Sequence, residues 1–141
     1  MFRLVGLLCA VTVMFPILAN CEETTISAEK REITVKEGEA LVRRALDRSG
    51  AISLPGFNVV YWEHSSTPRF YFLTGVWDNN GEGSGVTGNY LVDRRTGDVW
   101  NAALCEELQS RALEQLKAEI RERIGLSESN YKKLRIDSPM C

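Results

Sequence analysis

Two periods of apolar residues alternate along this chain, and the switches between them mark its elements. "ITVKEGEALVRRALDRSG" places Val35, Leu41, Val42, Ala45 and Leu46 at helical spacing, with Arg43, Arg44, Asp47 and Arg48 opposite them. Thr34 followed three residues later by Glu37 fits a capping box, and Gly50 is a natural stop. This predicts a helix over Val35 to Arg48. Pro55-Gly56 breaks the chain. "FNVVYWEH" and "RFYFLTGVW" follow, rich in β-branched and aromatic residues and joined by the turn "SSTP". They predict two antiparallel strands. "VTGNYLVD" and "DVWN" predict a third strand and a short fourth one, with Gly97 supplying the positive φ of the turn between them. The intervening "DNNGEGSG", Asp78 to Gly85, reads as a mobile connection.

The last periodic stretch is "AALCEELQSRALEQLKAEIRERIG". Leu104, Leu108, Leu113, Leu116, Ile120 and Ile124 form a helical stripe in it. Ser110 is placed to restart the helix after an irregular turn near Cys105. Glu119 and Arg123 read as an exposed i, i+4 pair, and Asp98 as a turn or surface residue. Each amphipathic element must bury one face, so helix on sheet is the economical packing. The expected fold class is α+β: an antiparallel meander of three to four strands flanked by an N-terminal and a C-terminal helix. Trp100, where the sheet hands over to the Cys105 segment, is expected to anchor the core.

The N-terminus changes the picture of location. "MFRLVGLLCAVTVMFPILANC" has one cation, Arg3, and then an apolar run to Phe15 broken by Pro16. That is the layout of a secretory signal peptide over residues 1–20, and the run is short of the roughly 20 apolar residues that span a bilayer. Two processing routes fit its end. Cleavage after "ILA" releases a soluble periplasmic protein, whereas "LANC" resembles a lipoprotein box that would lipidate Cys21, with Asn20 a departure from its usual small residue. Residues 21–31 are polar and read as a flexible tether. Residues 32–141 read as a single α+β domain, as the length of 141 residues allows. Cys9 is lost with the leader, and if Cys21 carries lipid, Cys105 and Cys141 remain as a pair. A disulfide between them closes a loop of about 36 residues and contributes ~2–4 kcal/mol.

Charge and side-chain chemistry mostly exclude. With 17 Lys plus Arg against 19 Asp plus Glu and no basic block, nucleic acid is not an expected partner. The single histidine, His64, stands beside Glu63 at a strand end, without a Ser-His-Asp pattern around it. Asp78, Asn80 and Glu82 alternate as in a calcium loop. The bidentate Glu such a loop requires is replaced by Asn89, so no metal is expected. "GEGSGVTG" lacks the Lys-Ser/Thr of a phosphate loop and runs into a strand, so no cofactor is expected. The aromatic residues point elsewhere. Trp62, Trp77 and Trp100 lie near strand ends among Tyr61, Phe70, Tyr71, Phe72 and Tyr90. Phe70 and Phe72 fall on one face of their strand and Tyr71 on the other. Helices covering one sheet face would leave aromatics on the other for a partner.

Two resemblances follow from these residues. "ITVKEGEALVRRAL" with the hairpin "VDRRTGDVW" is similar to the PepSY-type pattern of secreted propeptide and inhibitor domains, over roughly Ile33 to Trp100. Tyr90 to Trp100, Cys105 and the helix Leu113 to Ile124 resemble small exported bacterial proteins of the periplasmic immunity kind. The resemblances imply a non-enzymatic protein-binding module, an inhibitor or immunity protein that blocks a secreted hydrolase or toxin. The candidate contact residues are Trp77, Asp78, Asn80 and Glu82. The alternatives are an envelope lipoprotein with a structural or assembly role, and a small-molecule or enzymatic role for the sheet face.

Overall fold

The computed structural model describes residues 32–63 and 68–139. The leader, Cys21, the tether, His64 and Cys141 lie outside the described residues. Helix α1 spans Val35–Ala45, and Thr34 caps it as expected. The Thr34 hydroxyl accepts from the Glu37 amide (3.3 Å) while the Glu37 carboxylate accepts from the Thr34 amide (2.8 Å). The strands β1 (Asn58–Tyr61), β2 (Phe70–Asp78), β3 (Ser84–Asp93), β4 (Val99–Asn101) and β5 (Glu106–Glu107) form one antiparallel sheet in the order β1-β2-β3-β4-β5. Helices α2 (Arg111–Arg123) and α3 (Glu128–Leu134) close the chain. The described residues thus form an α+β fold with helices on both flanks of a meander.

Strand alternation sorts the sheet into two faces. Leu41, Val42, Val59, Tyr71, Leu73, Val92, Val99, Leu113 and Ile120 make the buried core between sheet and helices. Gly38 lets α1 lie close on the sheet, because a Cβ there would sit 3.3 Å from the Tyr71 ring and 3.6 Å from Leu73. The Tyr71 hydroxyl donates to the Ile33 carbonyl (2.7 Å), so the chain entering α1 is tied to β2.

Four expectations are corrected. First, the apolar stripe of the C-terminal helix does not include Leu104. Cys105 adopts φ 55, a left-handed conformation that ends helical geometry, and residues 106–107 form β5 against Trp100 and Asn101. Ser110 then caps α2, accepting from the Leu113 amide (3.1 Å). Leu104 consequently stands 63% exposed and is no part of the stripe, while Leu113, Ile120 and Ile124 are buried. Second, Arg123 does not pair with Glu119 along its own helix but with Glu37 across to α1 (2.7 Å). Third, the 78–85 connection is shorter than expected. β2 and β3 extend to Asp78 and Ser84, leaving a five-residue turn, and the two strands bulge between Gly75 and Val76. Fourth, Asp98 is fully buried. The unforeseen α3 is capped by Ser127, and Arg135 just after it pairs with Glu107 of β5 (2.6 Å). Trp100 is buried as expected, but on the sheet face opposite Val99, edge-on to Phe70 (5.9 Å).

Candidate functional site

The β2–β3 hairpin carries all four candidate contact residues and brings them together at one end of the sheet. Its turn is closed by backbone bonds, Asn79 amide to Gly83 carbonyl (2.8 Å) and Glu82 amide to Asn79 carbonyl (3.0 Å). The Asn79 side-chain amide donates to the Glu82 carboxylate (2.9 Å). Asn80 takes φ 49, a left-handed position that asparagine tolerates better than most residues. Asp78, Asn80 and Glu82 are exposed, whereas Trp77 is half-buried. The Trp77 indole lies along the hairpin itself. A Cβ at Gly83 would sit 3.3 Å from its ring, and one at Gly85 would sit 2.8 Å from Nε1. Trp77 therefore braces the turn, and the three polar residues are the ones presented outward.

A second support comes from the chain before β1. The Asp78 amide donates to the Pro55 carbonyl (3.1 Å). Gly56 has φ 59, and a Cβ there would collide with the Asp78 carbonyl oxygen. Only glycine lets this loop lie against the hairpin. The loop exposes Ile52 and Leu54, and Val86 on β3 is 63% exposed nearby in the sheet. None of these three was singled out from sequence, because lone aliphatics in loops carry no local signal.

The sheet face opposite the Leu73 and Val92 core holds a further group. Trp62 is 53% exposed, yet its indole is fixed: Nε1 donates to Thr74 Oγ1 (3.0 Å), which donates to Asn89 Oδ1 (2.8 Å). The expected aromatic exposure on this face thus falls mainly on Trp62. Phe70 and Phe72 are half-buried.

Beneath these surfaces lies a buried ionic hub. Lys117 Nζ, 1% exposed, lies 2.7 Å from Asp98, 2.8 Å from Glu114 and 3.6 Å from Glu107. Asp98 also accepts from Arg121 (3.0 Å), the Thr96 hydroxyl (2.8 Å) and the Tyr131 hydroxyl (3.1 Å). The Arg121 guanidinium stacks over the Tyr131 ring at 3.6 Å. Burial opposes ionisation of Asp98, but Lys117, Thr96 and Arg121 outweigh it and hold the carboxyl below its ordinary range. Burial likewise opposes the charge on Lys117, and Asp98 and Glu114 outweigh it to raise the ammonium. The Tyr131 hydroxyl is pushed up by burial and then by the Asp98 charge. Every charge in this hub is answered by another, so the hub fastens β4, α2 and α3 together.

Among the described residues no group of three His, Cys, Asp or Glu side chains is placed to hold a metal ion. No described helix is long and apolar enough to cross a membrane. Cys105 is disulfide-bonded. Cys141, its expected partner, lies outside the described residues.

No family model matches the chain, PepSY-type or other, and no curated protein matches it. A chain in a solved structure is similar to it in fold. That structure is described as a type VI secretion system effector-immunity complex from Pseudomonas protegens. The TM-score is 0.57 with 23% identity, over 72% of this chain and 85% of that one. At this identity the likeness is one of fold.

Proposed function

We propose that this chain is a protein-binding module of the immunity or inhibitor kind, which neutralises a secreted toxin or hydrolase by filling its cleft. The observation that carries the reading is the β2–β3 hairpin: a braced turn that presents Asp78, Asn80 and Glu82 outward while Trp77 holds it from within. A pre-ordered protrusion loses little conformational entropy on docking, so its contacts convert efficiently into affinity. The fold likeness to a chain of an effector-immunity complex supports the same reading. In this reading the chain acts by occlusion and performs no reaction. The test is co-expression in a bacterial host with a secreted toxin encoded beside its gene. The full chain is expected to restore growth and to co-purify with the toxin. Growth arrest in the presence of well-expressed, folded protein would overturn the reading.

The N-terminal layout supports action in the periplasm, either soluble or anchored through Cys21. Non-reducing peptide mapping of the exported protein addresses both cysteine assignments. Cys105 is expected to be recovered linked to Cys141, and Cys21 to carry lipid. A mature protein beginning at Asn20 would remove the anchor, and Cys105 linked to Cys21 would overturn both assignments.

A further inference from the structure

The charge around the hairpin specifies the cleft it fits. Between Arg48 and Arg94 the sequence contains one cation, Arg69. Arg69 is spent at the opposite end of β2, on Asp93 (2.7 Å) and the Leu134 carbonyl (2.6 Å). The cation on α1 that faces the start of β1, Arg43, is also occupied. It donates to Asn58 (2.5 Å) and lies over the Phe57 ring. Among the described residues Asp78 and Glu82 have no ion-pair partner, and the Glu82 carboxylate accepts from the Asn79 side-chain amide. The hairpin end therefore projects uncompensated negative charge. It also exposes apolar side chains, Ile52 and Leu54 on the loop fixed against Asp78, and Val86 on β3.

Exposed apolar side chains beside unpaired carboxylates on a braced turn are complementary to a partner surface of positive charge with an apolar rim. We propose that this end of the sheet docks into a cationic cleft of the partner protein, with Asp78 and Glu82 facing its Lys or Arg side chains and Ile52 and Leu54 covering its apolar rim. This rests on the reading of the chain as a cleft-filling binder, and it adds the chemistry of the cleft. A cleft lined with cations holds an anionic substrate, so the hairpin carboxylates occupy the place of the substrate's anionic groups. Binding of this chain and of substrate is then mutually exclusive.

The experiment uses the full chain and the toxin against which it protects in co-expression, with affinity measured from about 50 to 500 mM NaCl. The Asp78→Asn, Glu82→Gln double variant is expected to bind about tenfold more weakly at low salt and to lose most of the salt dependence. Asn80→Asp adds a charge at a position where aspartate also tolerates the left-handed backbone, and it is expected to bind more tightly at low salt. Glu128→Gln, on α3, serves as the control and leaves the affinity unchanged. If the toxin binds with a salt-independent affinity that neither hairpin variant alters, the cationic-cleft proposal fails while the binding function stands. If no toxin is bound or neutralised, both fail.

Discussion

Replacing Asp98 with alanine is expected to destabilise the protein by about 3–5 kcal/mol, because it removes the buried carboxylate that Lys117, Arg121 and Tyr131 share and leaves Lys117 with only Glu114 and Glu107. Lys117 is 1% exposed, and Asp98 is its closest counter-ion at 2.7 Å. Arg121 and the Tyr131 hydroxyl lose the same acceptor. Lys117→Met is expected to cost less, since Asp98 keeps Arg121, Thr96 and Tyr131 while an apolar side chain of similar length fills the space. Combining Asp98→Ala with Lys117→Met should cost less than the sum of the two singles, the mark of a shared interaction. Urea or thermal unfolding of the four proteins checks this. Additive effects would show that the hub is not coupled.

The pH dependence of that stability has a defined sign. Asp98 is held below its ordinary value of 3.8 in the folded protein. Its contribution is therefore fully present above that value and is lost as pH falls through the lower folded one. Lys117 is raised above 10.5, so its contribution is present below that value and is lost as pH rises through the higher folded one. Between these limits the hub's contribution is flat. The stability difference between wild type and Asp98→Asn should hold constant near neutrality and narrow in acid.

How much of this was legible in the sequence differs by element. The capping box at Thr34 and Glu37, the four main strands and the turn at Gly97 were readable, because each rests on neighbours in the chain. β5 was not, since a two-residue strand carries no period and the leucines at 104 and 108 happened to extend the helical one. The polar α3 was missed for lack of an apolar stripe. The hub left a partial trace. Leu113, Ile120 and Ile124 define an inward face, and position 117 lies on it, so a lysine there calls for a buried carboxylate. That the carboxylate is Asp98, placed at the start of β4, depends on how α2 packs against that strand, and no local pattern encodes it. The hairpin residues were found from composition, but their stiffness was not. Trp77 braces the turn only because the glycines at 83 and 85 make room for its ring.

The hairpin is also where the largest functional effect is expected. Replacing Asn79–Gly83 with a two-residue Asn-Gly turn removes Asn80 and Glu82 and draws in the tip. β2 and β3 stay paired, because two-residue turns of this type close antiparallel hairpins readily. The core does not include the turn. Unfolding should therefore change by less than about 1 kcal/mol, as for surface changes away from buried features. Binding should fall about a hundredfold or more, because interface energy concentrates in a few central contacts.

The decisive measurement is the affinity of this shortened-hairpin protein for the toxin that the full chain neutralises, taken beside its thermal unfolding. A folded variant that has lost binding and no longer protects cells is the predicted result. A folded variant that binds and protects like the full chain would contradict the account.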